Sequence, residues 1–133
     1  MKKSVLADVD AKSSTLKYAV EIQKAAAKVG FDWPHISDVV DKIHEELDEV
    51  MAETPLTNNH DRLHDEIGDL LFACINLARH LNVDPELAMN QANQKFYRRF
   101  LRLEAELHSQ DTLFSDCSLE QLDAIWEKFK HEI

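Results

Sequence analysis

The chain has 133 residues, with 15 Lys and Arg against 25 Asp and Glu, which gives a formal net charge of −10 at pH 7. This length suits one domain with a single core, and the excess of acid argues against duplex nucleic acid as a partner, since that needs a basic face. The 2 Gly and 3 Pro residues are about a third of the usual frequency, so hairpins and Gly-rich phosphate loops lack their usual residues and an all-α protein is expected.

The predicted elements form a helical bundle of four to five helices. Residues 1–13 are polar and without helical periodicity, and we expect a flexible N-terminal tail there, followed by a single domain at 14–133. Five helices are predicted in that domain, over residues of about 14–29, 37–53, 61–81, 85–108 and 118–131.

Local signals support these helix ends. Gly30 is a typical residue after a helix C-terminus. Ser37 is the expected N-cap of the second helix and Asp84, which precedes a proline, that of the fourth. Ser118 with Gln121 forms a capping box that opens the last helix.

The chain lacks signs of membrane insertion or export. No apolar run approaches the ~18 residues of a membrane span, and Asp8 and Asp10 interrupt any apolar signal stretch. Cys74 and Cys117 are too few for a disulfide framework, and Cys74 lies on an apolar helical stripe. We therefore expect a cytoplasmic protein with reduced, non-catalytic thiols and no membrane contact.

Acidic residues lie beside the apolar stripe of the second helix. At ~100° per residue, Glu46 and Glu49 flank this stripe, whereas Glu45 points nearly opposite to it. The stripe itself is expected to be buried and consists of Ile36, Val39, Val40, Ile43, Leu47 and Val50. Acids beside a stripe are usually solvated, so this helix alone does not predict a site.

The third helix gives a stronger signal, because apolar residues cover most of its circumference and predict burial nearly all round. Burying unpaired carboxylates costs several kcal/mol each, and a bound cation would remove that cost. The remaining wedge of this helix contains Glu66, Asp69, Ala73, Asn76 and His80.

Two pairs of acids at i, i+3 therefore face each other if the two helices pack antiparallel. The pairs are Glu46 with Glu49 and Glu66 with Asp69. Such an all-oxygen cluster suits Mg²⁺ or Mn²⁺ rather than zinc. A di-iron bundle is excluded, because it needs Glu-x-x-His motifs and no histidine of the chain has a Glu three residues before it.

The fourth helix contributes basic residues. Lys95 and Arg99 lie one turn apart beside its apolar stripe, where they either pair with surface acids or bind phosphate oxygens. Trp33 and Trp126 are expected as aromatic anchors, with stacking on a nucleobase as the alternative. The residues alone leave both choices open.

The acidic motifs resemble a known family. Residues 45–49, Glu-Glu-Leu-Asp-Glu, and 66–69, Glu-Ile-Gly-Asp, are similar to the Glu-Glu-x-x-Glu and Glu-x-x-Asp signature of the all-α nucleoside triphosphate pyrophosphohydrolases of MazG type. The resemblance covers roughly residues 18–130 and is strongest to the C-terminal catalytic domain of two-domain MazG proteins. Its further segments are 29–33, 70–73, 76–81 and 93–100.

This resemblance implies Mg²⁺-dependent hydrolysis of a nucleoside triphosphate to the monophosphate and pyrophosphate, with Mn²⁺ as a substitute, by a homodimer or higher homo-oligomer. It implies metal ligation by Glu46, Glu49, Glu66 and Asp69. Lys95 and Arg99 match its phosphate contacts, and the general base is sought among Glu45, Glu46 and Glu49. A weaker correspondence assigns nucleotide contacts to Gln23, Lys24 and Trp126.

Two other interpretations remain. The pairs His60-Asp61 and His64-Asp65 suggest an HD-type metal phosphohydrolase, which also needs histidines gathered in space. Alternatively, the chain is a catalytically silent helical interaction or regulatory module with the same fold.

Overall fold

The computed structural model describes residues 3–130, and within them it contains α-helices, one 3₁₀ turn and no strand. The all-α prediction is confirmed. The helices are α1 (Thr15–Lys28), α2 (Ile36–Glu53), α3 (His60–His80), α4 (Pro85–Ser109) and α5 (Leu119–Phe129), with the 3₁₀ turn at Phe114–Asp116. The expected end of the last helix near His131 and the first two residues of the expected tail lie outside the described residues.

Most helix ends follow the local signals. After α1, Gly30 has φ +95° and the Phe31 N–H donates to the Ala26 carbonyl at 3.1 Å, which is a Schellman C-cap. Ser118 and Gln121 form the predicted capping box before α5. Asp84 caps α4, because its Oδ1 accepts from the Glu86 N–H at 2.9 Å.

The prediction that Ser37 caps α2 is wrong. The N-cap is His35, which makes no side-chain cap hydrogen bond. The His35 carbonyl accepts from the Asp38 N–H at 3.1 Å, so the helix has already begun when the chain reaches Ser37.

The chain forms two compact units that meet in sequence between Glu86 and Leu87. In the first unit, α2 and α3 are antiparallel, because the C-terminal Glu53 of α2 accepts from Asn59 just before α3 at 2.9 Å, while Glu46, two turns earlier, lies beside Glu66 and Asp69. This arrangement is the predicted one, and it brings the acids of both helices together.

The burial of α2 and α3 differs from the expectation. Val39 of α2 is fully buried, but Leu47 on the same predicted stripe is 43% exposed. On α3, the buried residue is Ala73 of the polar wedge, whereas Leu71 is 58% exposed and Cys74 is exposed. The α3 helix thus buries Ala73 of its wedge, whereas part of its apolar side, including Leu71, is exposed in the single chain.

The second unit consists of α4 beyond Glu86 together with α5. Phe96 packs against Trp126 with ring centroids 5.3 Å apart, and Phe100 stacks on Phe114 at 5.6 Å. Phe129 of α5 is buried. Aromatic packing therefore joins α5 and the 3₁₀ turn to α4.

None of the helices within residues 3–130 combines the length and apolar character needed to cross a membrane.

Candidate metal centre

Three carboxylates meet between α2 and α3. One oxygen each from Glu46, Glu66 and Asp69 lie within 4.8 Å of one another. Glu46 is buried, Glu66 is half-buried and Asp69 is exposed, so the acidic cluster has a closed side and a side open to solvent. No histidine of residues 3–130 belongs to such a group, which removes the gathered histidines that an HD-type site requires.

The helices themselves bring these acids together. Glu66 and Asp69 are three residues apart and so lie on one face of α3, and the buried Ala73 continues that face toward the protein interior. Glu46 lies on the side of α2 that also carries the fully buried Val39, seven residues earlier. Antiparallel packing of these two faces produces the cluster.

Negative charge is concentrated in the cluster, where burial and charge shift the pKa values of two of the carboxyls. Partial burial raises the pKa of the Glu66 carboxyl above its ordinary value, and the negative charges of Glu49 and Asp69 raise it further. Burial likewise raises the pKa of Asp69, helped by the charges of Asp65 and Glu46. Both carboxyls therefore hold their protons more tightly than in an unfolded chain, as expected where negative charge is concentrated without a cation.

Lys42 is the one basic residue of the described chain that forms an ion pair with the cluster. Its Nζ lies 3.0 Å from Glu46 Oε1 and 3.2 Å from Glu45 Oε1. Hydrogen bonds to Glu46 and then to Glu45 raise the pKa of the Lys42 ammonium. Sequence reasoning overlooked this lysine, although its i+3 and i+4 spacing to the two glutamates was a visible signal.

The two remaining glutamates of the motif are both exposed on α2. Glu49 is not one of the three carboxylates within 4.8 Å, but it is near enough for its charge to act on Glu66. Glu45 is not one of the three grouped carboxylates, and it pairs with Lys42, which also pairs with Glu46.

The predicted basic residues belong to the second unit. Lys95 is exposed on α4. The Arg99 Nη2 donates to the Lys130 carbonyl just after α5 at 2.8 Å, so this guanidinium caps the C-terminal end of α5. A contact of Lys95 or Arg99 with phosphate stays a prediction.

The weaker nucleotide contacts also have structural partners. Gln23 is buried on α1, and its Nε2 donates to the Phe72 carbonyl of α3 at 3.2 Å. Lys24 is exposed, with Glu21 at 3.8 Å. Trp126 is half-buried against Phe96. Their roles toward nucleotide stay predictions as well.

A polar network that sequence reasoning missed anchors the aromatic connector between α1 and α2. The Arg79 Nη2 donates to Asp32 Oδ1 at 2.6 Å, and Arg79 Nη1 donates to Oδ2 at 3.2 Å. His80 Nε2 lies 2.9 Å from the same Oδ1. The hydrogen bond with Arg79 is the main reason that the pKa of Asp32 is lowered to about 2.

Comparison with known proteins bears on the acidic cluster directly. The sequence-family model of the MazG nucleotide pyrophosphohydrolase domain matches residues 35–102, a segment that contains all three clustered carboxylates. The chain belongs to this MazG family.

Two relatives are similar over nearly the whole chain. It is 41% identical over 130 residues to a nucleoside triphosphate pyrophosphohydrolase of Escherichia coli, covering 97% of this chain and 49% of the relative. It is 39% identical over 130 residues, with the same coverage, to the nucleoside triphosphate pyrophosphohydrolase/pyrophosphatase MazG of Thermotoga maritima. The MazG-family chain thus spans about half the length of these relatives.

The donor set fits a hard divalent cation. Mg²⁺ takes oxygen ligands at about 2.0–2.1 Å in octahedral geometry and retains several waters, so opposite ligand oxygens are separated by roughly 4 Å. The three carboxylate oxygens all lie within 4.8 Å of one another, which is compatible with this separation. All the gathered ligands are carboxylates, a set that suits Mg²⁺ or Mn²⁺.

Proposed function

We propose that the chain hydrolyses nucleoside triphosphates to the monophosphate and pyrophosphate in a reaction that depends on Mg²⁺, with Mn²⁺ as a substitute. The observation that carries this proposal is the convergence of Glu46, Glu66 and Asp69 on one small volume. Family membership and the names of both relatives support it. The catalytic unit is proposed to be the single domain at 14–133.

Glu46, Glu66 and Asp69 would hold the cation, with Glu49 as the fourth ligand implied by the family signature. When bound, the cation neutralises phosphate charge and lowers the pKa of a coordinated water. Of the three ligands, Asp69 is the exposed one, so the cluster opens to solvent, and to substrate, on that side.

The remaining chemistry falls to groups of the chain. Attack on the triphosphate requires a carboxylate that takes the proton from the attacking water. Glu45, Glu46 and Glu49 are the candidates for this base, and of the three Glu45 and Glu49 are exposed and lie outside the clustered set. Lys95 and Arg99 would offset the negative charge of the departing pyrophosphate, while Gln23, Lys24 and Trp126 would contact the nucleoside.

A second copy of the chain is the proposed partner. Leu47 and Met51 of α2 are 43% and 58% exposed, and Ile67 and Leu71 of α3 are 43% and 58% exposed. Monomeric proteins rarely leave apolar faces of this kind uncovered, and equivalent helix faces associate readily in symmetric dimers. The proposed location of the chain is the cytoplasm, where its proposed substrates, the nucleoside triphosphates, also occur.

The test is pyrophosphate release by the purified chain from a panel of standard, deoxy and oxidised nucleoside triphosphates, with Mg²⁺ and after chelation. We expect turnover that chelation abolishes and added Mg²⁺ restores. Asp69→Asn should lose at least about 100-fold in kcat. The control Asp48→Asn makes the same chemical change at an exposed residue of α2 that lies outside the cluster, and it should retain parent activity.

A folded parent chain that releases no pyrophosphate with any triphosphate would instead support the silent helical module. Turnover at the parent rate in Asp69→Asn would contradict the assignment of the cluster.

A further inference from the structure

Lys42 differs from an ordinary surface lysine because its ion-pair partner is a buried carboxylate of the cluster. Its Nζ is 3.0 Å from Glu46 Oε1, and the Glu46 side chain is only 11% exposed, so this ion pair is sheltered on the carboxylate side. The lysine side chain itself is 38% exposed and therefore has solvent into which it can move.

Glu45 offers Lys42 a second acceptor. Its Oε1 lies 3.2 Å from the same Nζ, and the Glu45 side chain is 60% exposed. The three residues are spaced i, i+3 and i+4 on α2, so Lys42 can remain paired with Glu45 after leaving Glu46. Such an exchange moves one ammonium by a rotamer change and leaves the backbone unaltered.

From this geometry we infer that Lys42 is an internal counter-ion that competes with the divalent cation for Glu46 and transfers to Glu45 when the cation binds. Lys42 is thus a positioning residue that sets the affinity of the metal centre. The inference rests on the proposed function, because it takes Glu46 to be a metal ligand. It adds a residue outside the carboxylate set and a direction for its effect.

The competition acts in opposite directions in the two states. Without a divalent cation, the ammonium offsets the repulsion among three carboxylates within 4.8 Å. With the cation bound, the same positive charge repels it and claims a ligand oxygen. Removing the charge should therefore destabilise the cation-free chain and strengthen cation binding. If the ion pair were merely structural, breaking it would weaken both the stability of the chain and its binding of the cation.

The experiment measures Mn²⁺ and Mg²⁺ binding to the full chain by isothermal titration calorimetry, with thermal unfolding in parallel. Lys42→Met retains side-chain length and helix propensity without the charge. We expect its Kd for Mn²⁺ to fall about tenfold at low salt, with a smaller difference at high salt because ions screen the lost charge. Its Tm should be lower without cation and should rise more when cation is added.

Control variants separate this effect from general changes. Lys42→Arg keeps the positive charge and should bind Mn²⁺ within about twofold of the parent. Lys12→Met makes the same change in net charge at an exposed residue before α1 and should also match the parent. Lys42→Gln provides a second neutral variant should Lys42→Met fail to fold, and far-UV circular dichroism verifies each fold.

Mn²⁺ binding that is unchanged or weaker in both neutral variants, beside normal binding by the parent, would overturn the inference and leave the metal centre standing. A parent chain that binds neither ion, with Glu66→Gln behaving identically, would overturn the metal centre and the inference together.

Discussion

Replacing Asp32 by Asn tests how the aromatic connector is held on α3. The Asp32 carboxylate accepts two hydrogen bonds from Arg79 and lies within hydrogen-bond distance of His80. The Arg79 and His80 side chains are only 12% and 13% exposed. The variant would therefore leave a sheltered guanidinium facing a neutral amide.

The magnitude follows from the pKa of Asp32, which is lowered from 3.8 to about 2. At ~1.36 kcal/mol per unit, this shift sets an upper limit near 2.5 kcal/mol on the folded-state preference for the carboxylate. The Asp32 side chain is 28% exposed, so solvent screening reduces the expected loss in unfolding free energy to about 1–2 kcal/mol. A loss of this size lowers Tm by several degrees.

The sign of the pH dependence is also determined. Because the folded pKa is depressed, the contribution of Asp32 is complete above its ordinary pKa of 3.8 and disappears as pH falls through about 2. Urea unfolding of parent and Asp32→Asn should differ by the full amount at pH 7 and by roughly half of it at pH 3. The control Asp123→Asn alters an exposed acid of α5 and should change little. Equal stability of parent and Asp32→Asn at pH 7 would refute the reasoning.

Three further outcomes are expected. Glu66→Gln should unfold at or above the parent Tm in EDTA but lose the stabilisation by Mg²⁺, and an undiminished Mg²⁺ effect would contradict its role. The pKa values of Glu66 and Asp69 are raised, so the repulsion between their carboxylates disfavours the folded chain at pH 7. The Tm advantage of Glu66→Gln should therefore vanish near pH 4, where these carboxyls are protonated. An advantage that grows on acidification would contradict this direction of the pH dependence. Leu71→Glu should convert a dimer into a 15.3 kDa monomer in light scattering, whereas a parent that is already monomeric would contradict the proposed dimer.

The helix ends were largely predictable because their signals are local. The capping box of Ser118 and Gln121 and the stop at Gly30 involve groups within a few residues of one another. Ser37 misled because a serine is a good N-cap wherever the backbone allows it, whereas the backbone hydrogen bond from Asp38 to His35 had already begun the helix.

The acidic site was predictable in composition but only partly in arrangement. Helical periodicity placed Glu46, Glu66 and Asp69 on facing surfaces, and the structure brings these three together. It set Glu45 apart from them, and in the structure Glu45 is outside the group but shares Lys42 with Glu46. It could not show that Glu49 lies outside the group within 4.8 Å, since both glutamates flank the same stripe. Such a difference depends on side-chain rotamers and on the relative rotation of two helices.

Apolar residues were the least reliable guide. The apolar side of α3 predicts burial, yet Leu71 and Cys74 are exposed in the single chain. Hydrophobicity indicates that a surface favours a partner, but it does not say whether that partner lies in the same chain. The pairing of Asp32 with Arg79 joins residues 47 positions apart and follows from no local pattern.

The most direct test of the central claim is the anomalous scattering of Mn²⁺ in crystals of the full chain grown with that ion. The account predicts one strong peak within about 2.0–2.6 Å of carboxylate oxygens from Glu46, Glu66 and Asp69, absent from crystals of Asp69→Asn. A peak bound elsewhere, or none at these carboxylates in a chain that hydrolyses nucleoside triphosphates with Mn²⁺, would contradict it.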